Sequence, residues 1–435
     1  MKTISSLVRT EEKSFPEAVN AFLPRSAVVP VNQISKKKYR CVVSKGDTIE
    51  EGQVLAVPIK NTLDSVVSAI NAPFPGEVSD LIQCRLPDGR LAQAVKISVK
   101  GAFSYLGKKL APSDWQALKE DDILKQLLAK GVTNTFFKET SLVQQILSCK
   151  IKQGRYLVVR MFDEDPSRLT DAFIAKTYTQ EVTEGAAIVA KAMKAQGIVF
   201  LLPKKSGITI DNELVQDFAV LPVEIDSRKY PAGFTQNIIP AVRKAVKNAH
   251  TDFFSDISTN CIFVDTETLF AVYEAVVFNK PVMERFVHVT GGCLRAAAMF
   301  RVKIGTTLQD LARQCGGFKT KPAKIIINGM INGMAVADLS TPITRRVKSL
   351  MFVPATQLCN QTFAPCIQCG KCRNVCPEQL FPDLLSYTML YNRPIEKELA
   401  QTVALCSQCG VCNSVCPSRI PLSQIISLYK EKKDV

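Results

Sequence analysis

The sequence predicts a multidomain α/β protein that closes in a cysteine-rich helical segment. Three observations predict it: short, turn-punctuated strands in residues 30–100, alternating strand and helix signals from about 121 to 283, and eight cysteines crowded between Cys366 and Cys416. At 435 residues, with 46% hydrophobic and 22% charged residues, the chain has material for several cores.

Residues 30–100 read as a compact β module with strands at Arg40–Val43 and Lys96–Val99. Gly46-Asp47, Gly52-Gln53, Pro75-Gly76 and Asp88-Gly89 mark its turns. The glycine spacing resembles a barrel-sandwich hybrid of the lipoyl and biotinyl type. That likeness is one of shape, because the modified lysine tripeptide of such carriers does not occur here. Further along come a strand at Tyr156–Val159, a helix at Val182–Gln196 closed by Gly197, and a strand at Ile198–Leu202 stopped by Pro203. A helix at Thr235–Ala249, a strand at Cys261–Val264 and a helix at Glu267–Asn279 complete an α/β unit with a mostly parallel sheet. Residues 284–355 fit a β-grasp unit: strand Phe286–Val289, helix Thr307–Cys315 capped by Gly316-Gly317, and strands Lys324–Asn328 and Ser349–Val353. The expected domains are therefore 1–110, 111–283, 284–355 and 356–435.

The richest apolar stretch, Ala186–Leu202, is interrupted by Lys191 and Lys194, so it falls short of the ~18 unbroken apolar residues of a membrane span. The first residues lack the apolar core of a signal peptide. A cytoplasmic chain is expected, free or docked to a larger assembly. A formal charge of +15 permits acidic proteins, anionic lipid or nucleic acid as partners, but no recognition motif supports the last. No Walker A loop, H-E-x-x-H or nucleophile elbow is present. Lys36-Lys37-Lys38 reads as a solvated loop, and His250 and His288 stand in no ligand spacing.

Disulfide scaffolds belong to small secreted domains, so fifteen cysteines in a chain of this length point to metal ligation. Seven of them (Cys41, Cys84, Cys149, Cys261, Cys293, Cys315, Cys359) are scattered and read as small apolar side chains. The other eight form two runs of C-x2-C-x2-C-x3-C-P: Cys366, Cys369, Cys372, Cys376, Pro377, and Cys406, Cys409, Cys412, Cys416, Pro417. Three cysteines at that spacing wrap one corner of an iron-sulfur cubane, and the fourth iron takes a thiolate from elsewhere. In two-cluster ferredoxins the fourth cysteine of each run ligates the other cluster. One cluster is thus assigned Cys366, Cys369, Cys372 and Cys416, and the other Cys406, Cys409, Cys412 and Cys376. Pro377 and Pro417 turn the chain away behind the fourth sulfur, and Gly370 and Gly410 let the backbone approach inorganic sulfide. Two clusters would offset about four units of the positive charge. Zinc ribbons also use C-x2-C pairs, but a third and fourth cysteine followed by proline, twice over, favour iron-sulfur. A radical-SAM spacing fails at Gln379 and Arg419. Helices are expected at Leu380–Tyr391, with Pro382 in its first turn, and at Ile395–Leu405.

This order of modules resembles the RnfC family, peripheral subunits of ion-translocating Rnf electron-transport complexes. The likeness is carried by Cys416-Pro417-Ser418 with Ile420-Pro421-Leu422, by Phe270–Thr290, by Lys229-Tyr230-Pro231-Ala232-Gly233, and by the glycine-bounded Gly329–Gly333. It implies a complex-I-flavoprotein-like α/β domain, an SLBB-like β-grasp unit, and electron relay between NAD(H) or ferredoxin and membrane subunits on the cytoplasmic face. Other electron donor and acceptor proteins are implied partners, and a cobalamin-reductase-like soluble flavoprotein is the neighbouring alternative. The family's G-G-x-G-F-P loop reads Gly131-Val132-Thr133-Asn134-Thr135-Phe136 here, and its N-G-x-E-x-E-P reads Arg160-Met161-Phe162-Asp163-Glu164-Asp165-Pro166. Asp163 and Asp165 are the residual candidates for FMN or NADH contact. Side chains after Gly131 obstruct close approach of a phosphate or isoalloxazine, so the intrinsic FMN and NADH site is expected to be degenerate.

Overall fold

The computed structural model describes residues 4–5, 17–31, 39–59, 66–151, 155–248, 253–358, 362–394 and 396–433. Lys36, Lys37, Lys38, His250 and Cys359 lie outside them. A two-residue strand β1 (Ile4–Ser5) and β2 (Ala18–Asn20) precede two small antiparallel sheets. These contain β3 (Ser26–Pro30), β4 (Tyr39–Cys41), β5 (Thr48–Ile49), β6 (Val54–Pro58), β7 (Ile70–Asn71), β8 (Gly76–Arg85) and β9 (Leu91–Val99), in orders β3-β9-β8-β5 and β4-β6-β7. Their apolar faces close on Val29, Leu55, Phe74, Val78 and Ile97, all buried. This is a barrel-sandwich hybrid built from the turn-punctuated strands of the sequence. Gly76 shows why its turns need glycine: its φ is +157°, and a Cβ would stand 2.1 Å from the Ser98 carbonyl oxygen.

The α/β unit begins with α1 (Glu120–Ala129), the short strands β10 (Thr133–Asn134) and β11 (Thr140–Ser141), and α2 (Leu142–Ile151). Then come β12 (Tyr156–Arg160), α3 (Thr170–Thr177), α4 (Thr179–Met193), β13 (Gly197–Pro203), β14 (Ala219–Ile225), β15 (Lys229–Tyr230), α5 (Thr235–Asn248), β16 (Ile262–Asp265) and α6 (Thr266–Val277). Strands β14-β13-β12-β16 form one parallel sheet. Every residue of β12 and β16 is buried, as expected of strands covered on both faces. The α4 helix ends on Lys194 in the left-handed region (φ 58°), not on Gly197 as the sequence suggested. Gly197 instead opens β13, where a Cβ would press within 2.7 Å of the Phe254 ring.

A six-stranded mixed sheet follows, built from β17 (Glu284–Thr290), β18 (Ala298–Lys303), β19 (Lys324–Ile327), β20 (Met334–Val336) and β21 (Ser349–Val353), with α7 (Leu308–Gln314) packed on it. Its order is β2-β18-β17-β21-β19-β20, so Ala18–Asn20 pairs here and not within the barrel. Buried ion pairs join the three units. Lys303 bonds Glu51 of the first at 2.6 Å, and Lys348 lies 2.8 Å from Asp171 and 2.6 Å from Asp265. Although burial works the other way, Lys348 and Arg160 hold the Asp265 carboxyl well below the usual range.

The chain ends in α8 (Lys371–Val375), α9 (Pro382–Leu390), α10 (Lys397–Thr402), α11 (Val411–Ser414) and α12 (Leu422–Lys433). Pro382 sits in the first turn of α9. The terminal α12, which the sequence pattern did not announce, packs on α9 through Leu385, Val403 and Ile426. No helix among the described residues is long and apolar enough to cross a membrane.

Helices α4 and α6 cross at Gly185, where an added Cβ would lie 2.3 Å from the Leu269 carbonyl oxygen. Backbone cannot yield as a side chain would. Gly185→Ala should therefore destabilise the protein by about 1–3 kcal/mol despite alanine's better helix propensity, read as a lower urea midpoint at unchanged slope.

Candidate iron-sulfur site

The two cysteine runs repeat each other in backbone as well as sequence, offset by 40 residues (366 and 406, 376 and 416). Left-handed residues recur at matching positions: Gln368 and Gln408 (φ 54° and 58°), Gly370 and Gly410 (72° and 73°), Gln379 and Arg419 (55° each). Each glycine leads into a short helix, α8 or α11, that carries the third cysteine. Non-glycine residues held at positive φ cost energy, so the surrounding contacts must fix these loops in shape.

Cys366, Cys369 and Cys372 line one pocket together with Cys416 and Pro417 from the second run. Ile420 and Leu422 supply part of its apolar wall. On the other side, Cys376 of the first run stands among Cys406, Cys409 and Cys412: after burial, Cys409, Cys406 and Cys376 are the next causes that raise the Cys412 thiol far above its ordinary range. Burial likewise lifts Cys372 and Cys409 to about 11. As thiolates, these four would need positive counter-charge, which the irons of a cluster would supply. Among the described residues no three His, Cys, Asp or Glu side chains converge on a single ion. A cubane holds its four thiolates apart at its corners and does not ask them to. Backbone N–H groups already point at sulfur, from Gln368 to Cys366 at 3.4 Å and from Leu380 to Cys376 at 3.3 Å. The residues fit two [4Fe-4S] groups.

The second loop has a seat made by distant parts of the chain. Tyr230 donates its hydroxyl proton to the Cys409 carbonyl oxygen and packs with Phe234 and Val411. With its amide nitrogen turned inward, Asn332 donates to the carbonyls of Gln408 and Cys409 at 3.2 and 3.1 Å. The Ile331 side chain covers Gly410 at 3.3 Å from the position of a Cβ. Asp165 holds this loop of residues 329–333: its Oδ2 accepts from the N–H groups of Ile331 and Asn332 at 2.9 and 3.0 Å, and its Oδ1 from Ser167. Gly329 is required there, since a Cβ would stand 2.4 Å from that carboxylate. The sequence marked Tyr230 and Gly329–Gly333 as family-like, but gave no sign that they reach the cysteines.

Asp163 caps the start of α3, accepting from the N–H groups of Asp171 and Ala172 at 3.1 and 3.0 Å. Burial and then the adjacent Asp171 carboxylate push its own carboxyl up to about 6. Its segment and residues 131–136 do meet. Arg160 donates to the Phe136 carbonyl at 3.0 Å and lies 4.1 Å over its ring. Thr135 bonds Asp265 at 2.9 Å, and Asn134 reaches Gln145 and the Phe263 carbonyl, both at 2.7 Å. The two loops touch directly through Arg160 and Phe136.

Of the remaining cysteines among the described residues, Cys149, Cys261, Cys293 and Cys315 are buried, and Cys41 and Cys84 are half-buried.

Two family models match the chain: a 4Fe-4S dicluster domain over residues 365–421 and the RnfC barrel sandwich hybrid domain over residues 9–102. By its barrel domain the chain is similar to the RnfC family. Curated relatives agree over most of its length. A subunit of the proton-translocating ferredoxin:NAD(+) oxidoreductase complex of Clostridium ljungdahlii is 25% identical over 370 residues, 84% of this chain and 78% of that protein. A subunit of the ion-translocating oxidoreductase complex of Pseudomonas aeruginosa is 27% identical over 381 residues, 85% of this chain but 47% of that one. The chain thus spans about half the length of the latter. A chain of the H2-reduced NAD+-reducing [NiFe]-hydrogenase aligns with 72% of the chain and 61% of its own length at 11% identity and a TM-score of 0.47, too slight a likeness to bear on function.

Asp165→Ala removes the acceptor of four hydrogen bonds from a buried position. It should cost about 2–4 kcal/mol in urea unfolding and loosen the Cys406–Cys412 loop, with Asp165→Asn intermediate.

Proposed function

We propose that this chain is an electron-relay subunit of a membrane-bound, ion-translocating oxidoreductase of the Rnf type, peripheral to the cytoplasmic face of the membrane. The observation that carries this reading is the crossed gathering of the two cysteine runs. Cys366, Cys369, Cys372 and Cys416 would hold one [4Fe-4S] cluster, and Cys406, Cys409, Cys412 and Cys376 the other. Each such cluster accepts or gives up a single electron with little rearrangement when bound. The chain's own part is to fix the thiolates, exclude water with Ile420, Leu422 and Val411, and aim N–H groups at sulfur, a lever on potential. Crossed ligation sets the two stops of the relay about 10 Å apart.

The direct contact of Arg160 with Phe136, and of Thr135 with Asp265, supports a relay with no FMN or NADH of its own. NAD(H) or ferredoxin would then be oxidised or reduced elsewhere in the complex, through donor and acceptor proteins and membrane subunits. The mixed sheet carrying α7 is read as an SLBB-like β-grasp unit, and the parallel sheet as a complex-I-flavoprotein-like domain. Boundaries near 110, 283 and 355 are proposed with them.

Anaerobically purified protein should contain about eight irons and eight sulfides per chain and no flavin. Stoichiometric FMN would favour a soluble flavin-dependent reductase instead. The pairing is checked by double variants. Cys366→Ser with Cys416→Ser strikes a single cluster if ligation is crossed, so about four irons should remain. Loss of both clusters would mean that each run serves its own.

A further inference from the structure

The two cysteine runs serve as an internal control on each other, because they share spacing and backbone yet face different surroundings. Cys366 and Cys369 are exposed, whereas their counterparts Cys406 and Cys409 are half-buried and buried beneath Tyr230, Ile331 and Asn332. Substitutions between the runs follow this difference in charge. Lys371 and Arg373 of the first run correspond to Val411 and Asn413 of the second, and Arg419, next to Cys416, corresponds to Gln379. Three cations therefore stand within three residues of the Cys366 cluster's ligands, and none of the three matching positions beside the other cluster's ligands is charged. Lys371 and Arg419 are exposed, and Arg373 is held half-exposed by Asp383 at 2.6 Å and by the Phe381 ring at 4.9 Å.

Hydropathy runs against exposure at one position. Ile367, between the two exposed cysteines, is 67% accessible, while its half-buried counterpart is Ser407. An isoleucine set in water where the covered copy has serine marks a surface that something else covers. Near it, the outer face of α9 and its flanking residues continue the apolar surface through exposed Phe381, Leu384, Tyr387 and Tyr391, the last two with ring centroids 4.8 Å apart. Asp383 of α9 lines the same pocket as Cys366, so the stripe begins at the cluster's edge.

Resting on the relay reading above, we propose that this face is the docking site of an electron-carrier protein with an acidic surface around its own redox centre. An apolar, aromatic centre with a charged rim is the usual anatomy of such a contact. Acidic groups on the partner would meet Lys371, Arg373 and Arg419, steering the encounter and fixing its register. A second copy of this chain would bring like charges together at the same rim. A lipid headgroup layer would cover the exposed cluster edge with material that carries no electrons. The buried cluster is then the inner stop, facing the body of the chain, and the exposed one is the port.

The test uses anaerobic holoprotein and, as probe, a small acidic two-[4Fe-4S] ferredoxin, with binding measured by calorimetry. Iron content and the reduced paramagnetic signal are recorded for every variant. Wild-type binding should weaken as salt rises from about 0.05 to 0.5 M. The pair Lys371→Glu with Arg419→Glu, and separately Leu384→Glu with Tyr387→Glu, should each weaken it about tenfold or more with iron intact. Lys45→Glu with Lys96→Glu, on the barrel, should leave it unchanged. The proposal is overturned if the probe does not bind iron-replete wild type, or if both patch variants bind as wild type does. It is equally overturned if the patch proves to mediate self-association in sedimentation or attachment to anionic phosphatidylserine vesicles. Wild type without iron would bring down the relay reading itself, a separate and recognisable failure.

Discussion

Everything at the functional end of the molecule depends on one buried carboxylate and the loop it holds. Asp165 accepts two backbone N–H groups from residues 331 and 332, and this fixes Ile331 and Asn332 against the Cys406–Cys412 loop. Tyr230 closes the seat from the far side of the α/β unit. A flexible cysteine loop would have to be ordered each time a cubane is bound, at about 1–2 kcal/mol per residue for the backbone alone. Here that ordering is done by folding, because Gly329 and Gly410 allow approaches that side chains would forbid.

The same unit is unusually rich in buried charge. Lys348, Asp171, Asp265, Arg168 and Asp163 form a connected group at the end of the parallel sheet. Open parallel sheets place their ligand crevice outside these strand ends. Burying ion pairs there has a cost, since desolvated charges stabilise only when well matched, and losing a single partner leaves a buried charge exposed to that cost. Matched as they are, these pairs lock the sheet to the β17–β21 layer. The two cysteine runs differ in their surroundings: one loop is folded into the body, and its twin faces outward.

The strands of the barrel, the parallel sheet and the helices flanking the cysteines could be read from turn residues, apolar runs and period. The reading failed where tertiary contact overrode local preference. Gly197 looked like a helix cap because glycine follows the apolar run, but Lys194 takes the left-handed position and Gly197 is needed under Phe254. Ala18–Asn20 carries no mark of its distant partner, Met299–Arg301. Asp163 and Asp165 stood out only as surviving acids. Their hydrogen bonds to α3 and to residues 331–332 were invisible, because a carboxylate that caps backbone and one that meets a ligand look alike in sequence.

What the amino-acid order determined alone was the chemistry of the tail: eight thiols at fixed spacings, each run closed by proline, suited to cubanes and little else. Spacing suffices there because the ligand geometry is local, set within a loop of three cysteines and a turn. Which cysteine loop is buried, and which side chains pack at the strand ends of the α/β unit, were decided by the fold. Those are contacts between residues tens to hundreds of positions apart, and no local pattern encodes them.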